Sequence, residues 1–262
     1  MSKLAKIPVL LEDRVRKFNS GNQPLPVRLD YSGQEHLQYW IMNKRSPWLG
    51  VPVDSLPIPG MLKKEEILYY NYIGRFYSGV GALVELGPWL GLSTSHIIRG
   101  LAANPHFKEV KLHVFDDFVW RSEWMDPFVS SDERRANHSD FQDLFEKYVA
   151  PISDRLIVTK AKIVDCDGNE ARTPIDWRGG PIEIMYIDCG RNLQANQGWY
   201  DRFSSSFIPG VTLLIMQDWR THRDRPRQWF NQTKKFTDGL AAHLRLLHEV
   251  SDGGIATFLF EG

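Results

Sequence analysis

Short apolar runs alternate with longer amphipathic stretches from about residue 60 to the C-terminus. The short runs are rich in Leu, Ile, Val and Phe, which is typical of strands buried on both faces of a parallel sheet. The longer stretches repeat their apolar residues every three to four positions, which is the period of a helix with one buried face. The alternation therefore predicts an α/β fold with a mostly parallel sheet.

The predicted strands span residues 81–86, 111–115, 155–160, 182–187, 211–216, 244–250 and 255–260. The predicted helices span residues 63–77, 93–104, 132–149, 194–207 and 228–239, and residues 118–131 form an insertion after the second strand. The turn Ser251-Asp252-Gly253-Gly254 joins the last two strands, and so short a turn makes them antiparallel. We predict a Rossmann-like, doubly wound, mostly parallel seven-stranded sheet with an antiparallel C-terminal strand.

Residues 1–60 differ from the rest of the chain, because prolines and aromatic residues recur there without a sustained helix or strand period. We interpret them as an N-terminal arm or cap, and residues 61–262 as one α/β domain. The aromatic residues between the prolines favour an arm that packs on the domain. Such an arm would cover a substrate site, form a homodimer contact or simply pack on the surface.

The charge balance limits the partners that the protein can bind. The chain of 262 residues has 32 Lys and Arg and 32 Asp and Glu, so its formal net charge is zero. This argues against a nucleic-acid partner held by bulk electrostatics. The two cysteines, Cys166 and Cys189, form no C-x-x-C pair, which argues against a zinc site or a disulfide framework. The sequence has neither a signal-peptide core nor an apolar run that could span a membrane, so we expect a cytoplasmic protein.

The turn after the first strand has the composition of a ligand site. Gly87 and Gly91 would let a ligand approach the backbone, and Ser93 and Thr94 fall in the first turn of the following helix, where backbone N–H groups can hold a carboxylate. Glu85 closes the strand with a negative charge that suits an ammonium group. The turn thus fits an amino-acid-like ligand, and its spacing is not the dinucleotide pattern G-x-G-x-x-G. Glycines in strand-to-helix turns are also common in α/β domains that bind nothing there.

Acidic residues follow several of the predicted strands. Asp116 and Asp117 come after the second strand, Asp165 lies in the loop after the third, Asp188 ends the fourth, and Asp218 comes after the fifth. Ligands of open α/β sheets bind at the carboxyl ends of the strands. One such acid is most often a helix cap or a solvated charge, but acids at consecutive strand ends together indicate a site.

These motifs resemble class I S-adenosylmethionine-dependent methyltransferases, and within them the small-molecule O-methyltransferases of the catechol O-methyltransferase-like and macrocin-type branch. The resemblance covers about residues 60–262. It rests on the motifs Val84-Glu85-Leu86-Gly87 to Gly91-Leu92-Ser93-Thr94, Phe115-Asp116-Asp117, Tyr186-Ile187-Asp188, Ile208-Pro209-Gly210 and Met216-Gln217-Asp218-Trp219. It implies transfer of a methyl group from S-adenosylmethionine to a hydroxyl of a small molecule, such as a sugar or a secondary metabolite.

The resemblance also implies roles for individual residues. The residues that would hold the methionine part of the cofactor are Glu85, Gly87, Gly91, Ser93 and Thr94. Asp116 would hold the ribose, with Asp117 as the less favoured candidate. The loop from Lys162 to Asp165 would flank the adenine, and Asp188 would lie beside the cofactor.

Metal-dependent members of this family bind Mg²⁺ at positions that correspond to Asp188, Gln217 and Asp218. Gln217 offers only a neutral oxygen where an acid is common, so the sequence leaves a magnesium requirement open. The candidate catalytic residues are Asp188, Asp218, Arg191 and His222. Arg191 cannot act as a base at neutral pH, but it could bind an anionic acceptor or pair with a neighbouring acid. His222 is an alternative base, although a histidine in so charged a loop is more often on the surface.

Two other classes of function fit parts of the sequence. A catalytically silent relative that acts as a binding or scaffold protein would explain Arg191 and Gln217 at positions where acids are common. A nicotinamide-dependent oxidoreductase would share the sheet, but the chain lacks the third glycine of the dinucleotide turn and a Tyr-x-x-x-Lys pair beyond it.

Overall fold

The computed structural model of the protein describes residues 46–104, 110–162, 175–224 and 231–262. Asp165 and the greater part of the N-terminal arm lie outside the described residues, so the expectations for them stay predictions. The helices within these ranges are all too short or too polar to cross a membrane.

A seven-stranded sheet forms the centre of the structure. Its strands are β1 (Ala82–Leu86), β2 (Leu112–Asp116), β3 (Leu156–Lys160), β4 (Ile182–Ile187), β5 (Leu213–Met216), β6 (Leu244–Glu249) and β7 (Ala256–Phe260). Their order across the sheet is β3-β2-β1-β4-β5-β7-β6. Only β7 is antiparallel to its neighbours in this sheet, and the other adjacent pairs are parallel. The predicted fold class is therefore confirmed.

Helices lie on both faces of the sheet. The α-helices of the described residues are α1 (Lys64–Gly74), α2 (Leu92–Ala102), α3 (Ser122–Met125), α4 (Gln142–Val149), α5 (Leu193–Phe203), α6 (Thr221–Asp224) and α7 (Gln232–Gly239). Short 3₁₀ helices occur at Pro47–Gly50, Asp126–Phe128, Ala150–Arg155 and Ser204–Ser206. Alternate side chains of β4 point to opposite faces of the sheet. Ile184 and Tyr186 pack with α1 and α2, whereas Met185 and Ile187 pack with α5 and α7.

The helix predicted over residues 132–149 is wrong in its first half, because α4 begins only at Gln142. His138 has a φ of 65°, which a right-handed helix does not allow. Asp140 forms an isolated antiparallel bridge with Val119, and its Oδ1 accepts a hydrogen bond of 2.8 Å from the backbone N–H of Gln142. The insertion after β2 thus includes these residues and folds back on its own start.

The described end of the N-terminal arm packs on α1 through Trp48. This side chain is fully buried, its ring centroid lies 4.7 Å from that of Tyr69, and its Nε1 donates a hydrogen bond to Glu65 at 3.0 Å. Burial of an indole with its N–H satisfied stabilises the attachment. Residues 46–60 therefore belong to the same core as α1, and the domain boundary near residue 60 stays a prediction.

Candidate functional site

The register of the sheet brings the ends of four strands to one edge. Leu86 is opposite Phe115 on one side and Ile187 on the other, and Ile187 is in turn opposite Met216. The polar residues that follow these strands therefore meet at the same edge. The strand order reverses between β1 and β4, and such a reversal creates the crevice in which open α/β sheets bind ligands.

A cavity of about 530 Å³ opens at this edge. Its volume is within the range of small-molecule sites. The predicted site residues that line it are Gly87, Ser93, Asp116, Asp117, Lys162, Asp188, Arg191, Gln217 and Asp218. Gly60, the last residue of the N-terminal arm, lines the cavity together with Met61 and Leu62, and the insertion after β2 and the turn after β4 contribute further walls.

The two glycines of the first turn each make room for neighbouring protein atoms. Gly87 also lines the cavity, so its expected role beside a ligand stays a prediction, whereas Gly91 does not line it. A Cβ on Gly87 would lie 2.2 Å from the backbone oxygen of Asp188, and a Cβ on Gly91 would lie 2.3 Å from Cγ1 of Val149. Both glycines also have positive φ, of 80° and 86°. Gly87 thus lets the end of β1 approach the end of β4, and Gly91 lets α2 begin against α4.

Glu85 does not line the cavity, contrary to the expectation that it would bind a ligand's ammonium group. Its side chain is 2% exposed, and its two oxygens accept hydrogen bonds from the hydroxyls of Ser93 at 2.5 Å and Thr94 at 2.6 Å. Burial raises the pKa of Glu85 from 4.5 to about 7, although the two hydroxyls partly oppose the shift. Glu85 and Thr94 therefore join β1 to α2 from inside the protein, and of these three residues only Ser93 reaches the cavity.

Asp116 and Asp117 differ in what their carboxylates contact. Asp117 forms an ion pair of 3.0 Å with Arg121, whereas Oδ1 of Asp116 accepts a hydrogen bond of 2.6 Å from the backbone N–H of Phe118. Asp116 is half-buried at the cavity wall. Loss of water around it and the negative charge of Asp117 raise the pKa of Asp116 to about 7. The backbone oxygen of Asp116 also accepts a hydrogen bond of 2.8 Å from the N–H of Ala161, next to Lys162.

Asp188, Arg191 and Asp218 form a charged cluster beyond β4 and β5. The guanidinium of Arg191 forms an ion pair with Asp218 and lies 5.4 Å from the ring centre of Trp124. Asp188 is exposed where it lines the cavity. Desolvation of its carboxyl by the protein around it and repulsion from Asp218 raise the pKa of Asp188 well above its ordinary value, while Arg191 opposes the shift.

Gln217 is held from behind the cavity by α1. Its Oε1 accepts a hydrogen bond of 3.1 Å from the hydroxyl of Tyr70, and its Nε2 donates one of 2.7 Å to Glu66. Glu66 is 2% exposed and also accepts a hydrogen bond of 2.7 Å from the backbone N–H of Gly254, in the turn between β6 and β7. One buried carboxylate thus ties α1, the end of β5 and the last turn together.

The three positions predicted to bind magnesium do not fit that ion as the structure arranges them. Asp218 is ion-paired with a cation, and the neutral amide of Gln217 is held by hydrogen bonds to Tyr70 and Glu66. Magnesium prefers several hard, usually anionic oxygens in octahedral geometry. Over the described ranges, no group of three or more His, Cys, Asp or Glu side chains is placed to hold a metal ion.

His222 does not reach the cavity. Its ring packs edge-on against Trp219 with 4.9 Å between centroids, and its Nδ1 lies 2.6 Å from the backbone oxygen of Trp219. This arrangement fixes the ring against its own turn and corrects the expectation that His222 is a base at the site.

The insertion after β2 provides one wall of the cavity through α3. Trp124 is 42% exposed and lines the cavity with Met125, whereas Trp120 is fully buried and donates a hydrogen bond of 2.7 Å to Asp126. An exposed tryptophan beside a cavity indicates a wall for an apolar or planar ligand.

Two residues that support the site were missed by sequence analysis. Glu66 and Tyr70 belong to a predicted helix that precedes the first strand, and they position Gln217 from a distance of 151 and 147 residues along the chain. The only signal was a pair of acids, Glu65 and Glu66, in a helix whose other positions are largely apolar.

Comparison with solved structures agrees with this architecture. The S-adenosylhomocysteine-bound methyltransferase PaMTH1 of Podospora anserina matches with a TM-score of 0.50, 12% identity, and coverage of 98% of each chain. A proposed O-methyltransferase of Klebsiella pneumoniae matches with a TM-score of 0.50, 12% identity, and coverage of 97% of each chain. The chain has the class I methyltransferase fold. No protein-family model and no curated protein sequence matches it.

The methyltransferase fold accounts for the place of the cavity. The edge that carries Asp116 and Asp188 is the carboxyl end of the parallel strands, at the reversal of strand order between β1 and β4. At 12% identity the comparison establishes the fold, and the chemistry has to be argued from the residues at this edge.

Proposed function

We propose that the protein transfers a methyl group from S-adenosylmethionine to a hydroxyl oxygen of a small molecule. The observation that carries the proposal is the cavity at the strand ends, in which Asp116 lies on one side of Gly87 and Asp188 on the other. A structure with the same fold, PaMTH1, was solved with S-adenosylhomocysteine bound. Four of the five motifs that resemble small-molecule O-methyltransferases fall at this same edge, whereas Ile208-Pro209-Gly210 precedes β5 at the opposite edge.

The residues of the cavity fit S-adenosylmethionine. Asp116 is half-buried at the end of β2, where its carboxylate can accept hydrogen bonds from the hydroxyls of a ribose. Ser93 presents the first turn of α2 to the cavity, and backbone N–H groups at a helix N-terminus suit a carboxylate. Gly87 and Asp188 also line the cavity. We assign the ribose to Asp116 and the methionine part to the turn after β1.

S-Adenosylmethionine would supply an activated methyl group: the acceptor oxygen forms the new C–O bond while the S–CH₃ bond breaks and leaves its electron pair on sulfur. The protein then has to position the acceptor and remove the proton from its hydroxyl. We assign the proton to a carboxylate oxygen of Asp188, which is open to the cavity and whose raised pKa makes it a stronger base than an ordinary aspartate. The exposed ring of Trp124 would support the acceptor on the side of the insertion.

The test is calorimetric titration of the purified protein with S-adenosylhomocysteine. We expect binding in the micromolar range, and no binding of NADH at the same concentrations. Saturable binding of NADH without binding of S-adenosylhomocysteine would refute the proposal and favour an oxidoreductase.

Asp116→Ala is expected to weaken binding of S-adenosylhomocysteine by about tenfold or more, about 1.4 kcal/mol, because a hydrogen bond to a charged group is lost. Asp117→Ala is the matched control: its carboxylate is already paired with Arg121, so we expect a smaller effect on affinity. Equal losses in the two variants would contradict the assignment of the ribose to Asp116. Calorimetry at pH 8, above the raised pKa of Asp116, keeps that carboxylate ionised in the wild type.

A further inference from the structure

The two arginines that line the cavity, Arg121 and Arg191, are each paired with an acid. Arg121 pairs with Asp117 on the side of β2, and Arg191 pairs with Asp218 on the side of β5. Asp188 lines the same cavity as the second pair, and the charges of Arg191 and Asp218 both act on its carboxyl. A single guanidinium thus lies among the oxygen donors at which the sequence predicted a divalent cation.

Several contacts hold Arg191 in this place. The side chain of Arg191 is 38% exposed and that of Asp218 is 25% exposed, so the pair is partly shielded from solvent. The guanidinium also lies 5.4 Å from the ring centre of Trp124, and a cation near an aromatic face is stabilised there. Two separate elements, the turn after β5 and α3 of the insertion, therefore hold the cation at the cavity.

The neighbouring donors are also committed to partners within the protein. Gln217 is held by Tyr70 and Glu66, and Asp218 adopts a φ of 59° in the turn that also contacts Gly254. A non-glycine residue with positive φ is held there only by its surroundings. The donors are thus arranged around a guanidinium rather than around an ion that requires octahedral coordination.

We propose that Arg191 takes the place of a divalent cation, so that this protein needs no metal and binds the acceptor oxygen through the guanidinium. The inference rests on the proposed methyl transfer. As the acceptor's O–H bond breaks, its proton passes to Asp188 and its electron pair forms the bond to the methyl carbon. Meanwhile the oxygen, on which negative charge develops, accepts an N–H hydrogen bond from Arg191. The guanidinium stays protonated throughout, so its contribution is electrostatic.

The experiment compares Mn²⁺ binding, measured by electron paramagnetic resonance, among the wild type, Arg191→Ala, Arg191→Gln and Arg191→Lys. Removing the cation leaves Asp188 and Asp218 without a neighbouring positive charge, so we expect Arg191→Ala and Arg191→Gln to bind Mn²⁺ at least about tenfold more tightly than the wild type. Arg191→Lys keeps the charge and is expected to behave like the wild type. Arg245→Ala, which breaks an ion pair with Glu261 away from the cavity, is the matched control and should gain nothing.

Micromolar binding of Mn²⁺ by the wild type, or no gain in either neutral variant, would overturn the inference. Titration of the same four proteins with S-adenosylhomocysteine, with and without EDTA, distinguishes a failure of this inference from a failure of the proposed methyl transfer. Binding of S-adenosylhomocysteine together with tight Mn²⁺ binding by the wild type would refute the role of Arg191 alone. The expected Mn²⁺ pattern without binding of S-adenosylhomocysteine would refute methyl transfer and leave only the charge replacement. Retained binding of S-adenosylhomocysteine in both neutral variants shows that they are folded.

Discussion

Gly87→Ala is expected to lower the free energy of unfolding by about 2–5 kcal/mol. About 1–2 kcal/mol of this comes from placing a side chain at a φ of 80°, in the left-handed region. The rest comes from the clash between the new Cβ and the backbone oxygen of Asp188, 2.2 Å away, because overpacking a rigid contact costs about 1–3 kcal/mol or more. Urea denaturation followed by circular dichroism measures the loss.

Gly180→Ala separates the two contributions. Gly180 has a φ of 81°, almost the same as that of Gly87, but a Cβ there would meet no atom within 4 Å. We therefore expect Gly180→Ala to lose only the conformational part, about 1–2 kcal/mol. Equal losses at the two positions would mean that the approach of β1 to β4 does not depend on Gly87.

The Gly87→Ala protein that remains folded should also bind S-adenosylhomocysteine more weakly, because the shift needed to relieve the clash moves Asp188 at the cavity.

Glu85→Gln is expected to remove a pH dependence of stability worth about 3 kcal/mol. The pKa of Glu85 is about 7 in the folded protein against 4.5 for the ordinary group, because burial disfavours its charged form. Between these two pH values the folded state holds a proton that the unfolded state has released, so the wild type loses stability as the pH rises through this window. Glutamine does not titrate, so the variant should gain on the wild type by that amount between about pH 4 and pH 8.

The measurement is the free energy of unfolding in urea at several pH values for both proteins. Asp116 also has a raised pKa near 7, but it is present in both proteins and its contribution cancels in the difference. Glu123→Gln, at an exposed position of the insertion, is the control and should track the wild type. A difference between Glu85→Gln and the wild type that stays constant with pH would show that Glu85 is not buried as a titrating acid.

The residues at the ends of β2 and β4 could be placed from the sequence, whereas their neighbours could not. Asp116 and Asp188 directly follow mainly apolar strands, and parallel strands end at a common edge, so the pattern alone puts both at the cavity. Glu85 is as close to a strand end as these two, yet its side chain points into the protein toward α2. Which side of a strand a terminal residue faces depends on the twist and on the packing of the following helix.

The contacts that distinguish this cavity join residues far apart in the chain. Arg191 meets Asp218 and Trp124, Gln217 meets Glu66, and each pair comes from different elements of the fold. No spacing rule predicts these pairs, because they depend on how the turns and the insertion pack at the sheet edge. The same reason explains why the helix predicted from residue 132 begins too early: the structure has a bridge between Val119 and Asp140 where the sequence predicted a helical turn.

The sequence by itself determined which segments are strands, their order along the chain, the antiparallel C-terminal strand and the edge that carries the cavity. It could do so because the hydrophobic period and short glycine turns act locally. Only the tertiary structure decided which acids face the cavity, which are buried in hydrogen bonds, and where the guanidinium of Arg191 lies. These outcomes depend on burial and on charges brought together from distant parts of the chain, and neither quantity is a property of local sequence.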